Sequence, residues 1–190
     1  MARIAVALVL AVVSCAALAH PFHAVSGGAT AGFLHPFFGF DHLLAMVAVG
    51  LWAARRGGRA LWLAPACFVG AMLAGGTAGF AGVSLPATEH LVAGSVLALG
   101  LFVALPRTPA LGTGCAMIAA FGAFHGLAHA AELPASAPAV YYAAGFVAAT
   151  ALLHAAGVLV GRALRAAVLR ATGIPIALAG VWLLAQVLAA

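Results

Sequence analysis

Long apolar runs, separated only by short clusters of arginine, proline and glycine, dominate this sequence. Apolar residues make up 66% of the chain and charged residues only 6%, whereas soluble domains carry about a quarter of their residues as charges. So few charges cannot cover a water-facing surface. The sequence therefore predicts an all-α integral membrane protein, because a run of about 20 apolar residues spans the hydrocarbon core as a helix.

The N-terminal residues have the pattern of a cleavable export signal. A single arginine forms a short basic region, residues 4–13 form an apolar segment, and residues 17–19 (Ala-Leu-Ala) form a small-x-small cleavage site. We therefore expect a signal peptide over residues 1–19 and a mature chain that begins at His20. Lipidation of Cys15 is the alternative, because the three residues before it loosely resemble a lipoprotein cleavage box.

The mature chain, residues 20–190, is predicted to form a single polytopic transmembrane domain of about six helices. The apolar runs place these spans roughly at 31–54, 60–81, 88–105, 110–131, 138–160 and 172–189. They occupy most of the mature chain, so the sequence predicts no sizeable soluble domain.

The arginines of the mature chain fall in alternate connections between the predicted spans. They are Arg55, Arg56, Arg59, Arg107, Arg162, Arg165 and Arg170, and the chain contains no lysine. Connections 82–87 and 132–137 contain no arginine or lysine. Because cytoplasmic loops carry the excess of arginine and lysine, we expect a bacterial inner-membrane protein with a periplasmic mature N-terminus. The scattered arginines form no phosphate-binding face, so no nucleic-acid partner is expected.

The chain has only three carboxylates, and each lies near a histidine. The pairs are Asp41 with His42, Glu89 with His90, and Glu132 with His129. A charge inside a membrane helix costs about 2.5–3.5 kcal/mol on insertion scales. Each of these carboxylates is therefore expected to have an internal partner or a function.

Potential metal ligands recur at helical spacing in two of the predicted spans. On a continuous first span, one face would carry His35, Gly39, His42 and Met46. One face of the fourth span would carry His125, His129 and Glu132. If these faces meet, they form a nitrogen- and oxygen-rich site suited to divalent nickel, zinc or cobalt, and the scarcity of thiolates argues against Cu(I).

Further residues suggest an entry vestibule at the periplasmic surface. These are His20, His23, Glu89 and His90. An ion would lose part of its water there before it reaches Asp41 near the middle of the membrane. Structural interpretations compete with this route: an internal ion pair for Asp41 with His42, and simple packing for His154.

Two segments resemble the motifs of a known family. Residues 35–50, HPFFGFDHLLAMVAVG, are similar to the signature of the HupE/UreJ family of hydrogenase and urease accessory membrane proteins. Residues 124–132, FHGLAHAAE, resemble its second motif, except that Ala130 stands where glycine commonly follows the second histidine. The resemblance implies a secondary permease that brings nickel, or in some members cobalt, into the cytoplasm for metalloenzyme maturation. It assigns the metal path to His35, Asp41, His42, His125, His129 and Glu132, with Met46 as a further candidate.

The expected function is therefore transport of a divalent ion without catalysis. No GxxxxGK[ST] loop is present, so the chain is not expected to hydrolyse ATP. The expected cargo is Ni²⁺, with Co²⁺ or Zn²⁺ as alternatives, and no prosthetic group is expected. The same residues would also suit an intramembrane zinc-dependent hydrolase or a metal-binding membrane sensor. The sequence indicates no particular oligomeric state.

Overall fold

The computed structural model describes residues 28–133 and 139–189, and within them every regular element is a helix. In chain order these are α1 (Ala29–Phe38), α2 (Phe40–Arg56), α3 (Ala60–Phe80), α4 (Thr88–Ala104), α5 (Leu111–Glu132), α6 (Ala139–Ala163) and α7 (Ala166–Ala189). The predicted signal peptide, His20 and His23 lie outside the described residues.

Several of the described helices are long and apolar enough to cross a membrane. Helices α3, α5, α6 and α7 each meet this requirement, and α1 with α2 forms a fifth span if the bent pair counts as one. Helix α4 is apolar but has 17 residues, which is at the short end of the range for a membrane helix. The chain is a multi-pass helical membrane protein, and the count of six spans stays a prediction.

The helix expected over 31–54 is not continuous, because the chain bends by 84° between α1 and α2. Gly39 lies at the bend in an extended conformation. A Cβ atom there would come within 3.0 Å of the His42 ring, so glycine leaves room for that ring. The prediction that four residues share one helical face is therefore wrong: His35 lies on α1, whereas His42 and Met46 lie on α2.

Close backbone contacts at small residues join the helices in pairs, as is usual where lipid provides no hydrophobic drive for association. The contacting positions are Gly50 with Gly157 and Ala54 with Gly161 (α2 and α6), Phe68 with Gly122 and Met72 with Gly126 (α3 and α5), and Leu97 with Gly180 and Ala104 with Gly173 (α4 and α7). The order of these contacts shows that α2 and α6 run parallel, as do α3 and α5. Helices α4 and α7 run antiparallel.

Two arginines bind the C-terminal carbonyls of α4. Arg55, at the end of α2, donates hydrogen bonds of 2.8 Å to the carbonyls of Phe102 and Val103. Arg170 donates one of 3.3 Å to the carbonyl of Ala104. The last carbonyls of a helix have no intrahelical donor and carry partial negative charge, so the guanidinium groups satisfy them. We call this end of the bundle, where α2, α4 and α6 end, the arginine end.

Candidate metal centre

Four histidine rings from three helices meet near the end of the bundle opposite the arginine end. His35 comes from α1, His42 from α2, and His125 and His129 from α5. The His42 ring centroid lies 5.7 Å from that of His35, 4.9 Å from that of His125 and 4.4 Å from that of His129. Ligand nitrogens of His35, His42 and His129 all lie within 4.8 Å of one another. We call these four residues the histidine cluster.

The histidine cluster is enclosed by aromatic side chains. His125 is fully buried, His42 and His129 are 5% and 8% exposed, and His35 is half-buried. The Phe146 ring on α6 lies 4.1 Å from that of His129, 5.9 Å from that of His35 and 6.3 Å from that of His42, between centroids. Helix α6 therefore closes one side of the cluster.

Asp41 fixes the orientation and tautomer of His42. Its Oδ1 accepts hydrogen bonds from the His42 backbone N–H at 2.8 Å and from the His42 ring Nδ1 at 2.5 Å. Because a carboxylate only accepts, Nδ1 carries the proton, and in the neutral ring Nε2 keeps its lone pair. Nε2 is buried and has no hydrogen-bond partner in the described part of the chain. A carboxylate on the far nitrogen is the usual second-shell partner of a metal-binding histidine.

His125 presents the same nitrogen for a different reason. Its Nδ1 donates to the carbonyl of Phe121, one turn earlier on α5, at 2.9 Å. Since a carbonyl oxygen only accepts, Nε2 of the neutral ring has the free lone pair. It too is buried without a hydrogen-bond partner among residues 28–133 and 139–189. Unsatisfied buried polar groups are rare, and an imidazole nitrogen with a free lone pair is a potential metal ligand.

The break between α1 and α2 explains how a carboxylate is accommodated here. Asp41 lies in the first turn of α2, where backbone N–H groups have no intrahelical acceptor and the helix dipole is positive. The sequence alone places Asp41 in the middle of a continuous helix, whereas the structure places it at the start of a new one. At 1.5 Å per residue, it lies about 21 Å along α2 from Arg55 at the arginine end.

A cavity of about 100 Å³ between α3, α5 and α6 reaches the histidine cluster at His129. Its walls include Gly76 on α3 and Tyr142 on α6. Two other lining residues, Leu73 and Phe80, are 44% and 55% exposed, so the cavity reaches the surface of the bundle. Its volume is that of several water molecules, and the polar side chains on its wall are those of Thr77, His129 and Tyr142.

The other predicted site residues lie apart from the histidine cluster or beyond the described side chains. Met46 is fully buried in the hydrophobic core, further along α2. At the start of α4, Glu89 is exposed and His90 is half-buried. Glu132 ends α5, but its side chain is outside the described part of the structure.

Two phenylalanines that contact the cluster were not predicted from the sequence. These are Phe146 and Phe68, whose ring lies 5.4 Å from that of His125. A phenylalanine inside an apolar span carries no functional signal in a single sequence, because core filling predicts the same residue. His154, interpreted from the sequence as a packing residue, also contacts Phe68, with ring centroids 5.3 Å apart.

Comparison with known proteins agrees with the two motifs. A profile of the family described as HupE / UreJ protein matches residues 7–183. The chain belongs to the HupE/UreJ family. Protein HupE from Rhizobium leguminosarum bv. viciae, a curated relative, is 44% identical over 131 residues, which cover 69% of each chain. No solved structure matches. The HupE/UreJ family comprises hydrogenase and urease accessory proteins associated with nickel and cobalt transport.

Proposed function

We propose that this protein is a secondary permease that carries divalent transition-metal ions, Ni²⁺ foremost, from the periplasm to the cytoplasm for hydrogenase or urease maturation. One observation carries the proposal: the Nε2 atoms of His42 and His125 are buried and unpartnered within the described residues, in one cluster of four imidazoles. Imidazole suits nickel, cobalt and zinc, and membership of a nickel- and cobalt-associated family favours the first two.

The ion enters through the cavity at His129 and exchanges its water for imidazole nitrogens. Metal–nitrogen bonds are about 2.0–2.1 Å long, so the ligand nitrogens that now lie within 4.8 Å of one another move closer by side-chain rotation on binding. Asp41 contributes negative charge near the ion through its bond to His42. In this proposal it orients a ligand, and direct coordination by its carboxylate is not required.

The proposed direction follows from the distribution of charge. Arginine-bearing turns are retained on the cytoplasmic side of a membrane, so the arginine end faces the cytoplasm. The histidine cluster then lies towards the periplasm, where an ion arriving from outside meets it first. A membrane potential that is negative inside draws a divalent cation in this same direction.

Uptake of radiolabelled Ni²⁺ by cells that lack their own nickel importers tests the proposal. Wild type should accumulate nickel, and His42→Ala and His125→Ala should each reduce uptake by about tenfold or more, since each removes a ligand. Ser95→Ala is the matched control: this buried serine donates within its own helix, at 2.6 Å to the Val92 carbonyl. Its uptake should equal that of wild type at the same membrane level.

Three other outcomes would each contradict the nickel permease. A well-expressed wild type that accumulates radiolabelled zinc but no nickel would reassign the ion. Binding of Ni²⁺ by the purified protein without accumulation in cells would indicate a sensor. Hydrolysis of an added peptide or lipid in detergent, abolished by His42→Ala, would indicate a zinc-dependent hydrolase.

A further inference from the structure

His154 lies outside the histidine cluster, on the part of α6 that leads towards the arginine end. It is 1% exposed, and both of its ring nitrogens are buried without a hydrogen-bond partner among the residues that the structure describes. An unpaired buried polar group destabilises the folded state, whereas an apolar side chain of similar size would not. Packing alone therefore favours leucine or phenylalanine at this position.

The contact between α2 and α6 at this level does not depend on the His154 ring. Backbone atoms make it, because Gly50 of α2 packs directly on the His154 carbonyl and on Gly157. The ring instead meets Phe68 of α3 edge-on, at an interplanar angle of 87°. The pairing of α2 with α6 therefore does not require a histidine at position 154.

Two rows of contacts connect His154 with the histidine cluster. Across the bundle, the Phe68 ring lies 5.3 Å from the ring of His154 and 5.4 Å from the ring of His125, between centroids. Along α6, Phe146, Thr150 and His154 recur every four residues, share one face of the helix and are all buried. Since Phe146 packs against the cluster, this buried face leads from the cluster to His154.

We propose that His154 is an inner metal ligand, to which the ion passes from the histidine cluster on its way to the arginine end. This inference rests on the proposed function. An ion that left four imidazoles for an apolar interior would lose all its protein ligands in one step, and the cost of burying a bare charge is high. The His154 imidazole, about 12 Å further along α6 than Phe146, would give the ion a ligand after it leaves the cluster and before it reaches the arginine end.

Proteoliposomes that contain a nickel-sensitive fluorophore test this role, with Ni²⁺ as the only added metal. His154→Leu and His154→Phe are compared with wild type and with Ser95→Ala at equal protein per vesicle. The maximum rate of uptake should fall about tenfold or more in both His154 variants, with KM changed by less than about threefold. Calorimetric Ni²⁺ affinity in detergent should stay within about threefold of wild type, because the histidine cluster is intact.

A purely structural histidine would give different results. Uptake by either variant within about twofold of wild type would overturn the inner-ligand role. A lower unfolding temperature in both variants, or loss of Ni²⁺ binding in both, would also overturn it, because replacing an unpaired buried polar group by an apolar one should hold or raise stability. If wild-type vesicles take up no nickel while Ser95→Ala and wild type are both well folded, the proposed function itself fails, and the inner-ligand role with it.

Discussion

At the scale of single residues, the candidate metal centre depends on which ring nitrogen each histidine presents. His42 and His125 each donate from Nδ1, one to the Asp41 carboxylate and the other to the Phe121 carbonyl. Both acceptors belong to the same helix as the histidine they hold, so folding of α2 and α5 sets the tautomers. The Nε2 atoms are therefore oriented before an ion arrives, which reduces the cost of binding it.

Substitutions of Asp41 test whether it orients His42. Asp41→Asn keeps an oxygen that can accept from the His42 ring but removes the negative charge, whereas Asp41→Ala removes both. Loss of such an outer partner typically costs 10–100-fold in metal affinity, so we expect losses of about that size in Ni²⁺ titration calorimetry, larger for alanine than for asparagine. Affinity equal to wild type in both variants would contradict the orienting role.

At the scale of elements, the sequence reveals apolar helices but not where one of them breaks. Helix α3 covers Ala60–Phe80, close to the predicted 60–81, because arginine and glycine clusters mark its borders. Gly39 is flanked by Phe38 and Phe40, and a glycine at a bend has the same sequence signature as a glycine in a straight helix. A shared helical face is therefore the wrong reason to expect His35 beside His42, although packing does bring their ring centroids within 5.7 Å of each other.

Helix pairing is the other feature that the sequence could not supply. Small residues such as Gly126 are visible in the sequence as packing positions, but their partners are not; Gly126 packs on Met72 of α3. The same limit applies to the metal centre, since the positions of His129 and Phe146 relative to α2 follow from how α5 and α6 pack. The ligand types were therefore predictable, whereas the enclosure of the cluster and the position of His154 required the structure.

Because α2 and α6 approach each other closely, a single methyl group added at Gly50 should lower the stability of the protein. A Cβ atom at Gly50 would overlap the His154 carbonyl oxygen and lie 2.8 Å from the Cα atom of Gly157. These are backbone atoms, which cannot rotate aside. Gly50→Ala should therefore destabilise the protein by about 1–3 kcal/mol, measured as a lower unfolding temperature in detergent.

Gly94→Ala on α4 is the matched control for this substitution. A Cβ atom at Gly94 meets nothing within 4 Å, and alanine is preferred over glycine in a helix by about 1 kcal/mol. Its unfolding temperature should therefore equal or exceed that of wild type. If Gly50→Ala unfolds at the same temperature as Gly94→Ala, the close packing of α2 on α6 is contradicted.

At the scale of the whole molecule, the fixed charges are separated along the bundle. Asp41 and Glu89 lie in the first turns of α2 and α4, whereas Arg55 and Arg170 bind carbonyls at the opposite end of α4. The carboxylates of Asp41 and Glu89 attract a cation to the end of the bundle where α2 and α4 begin. At the arginine end, the bonded carbonyls offset part of the positive charge, which lowers the electrostatic barrier to departure.

For the proposed permease, this separation of charge predicts that the membrane potential drives uptake. Moving one charge through 100 mV is worth about 2.3 kcal/mol, so a divalent ion gains about 4.6 kcal/mol, roughly a thousandfold accumulation. In proteoliposomes, a valinomycin-induced potential that is negative inside should accelerate Ni²⁺ uptake, and the reverse potential should suppress it. A pH gradient imposed at zero potential should have little effect. Uptake that followed the pH gradient and ignored the potential would contradict this prediction and indicate proton coupling through the histidines.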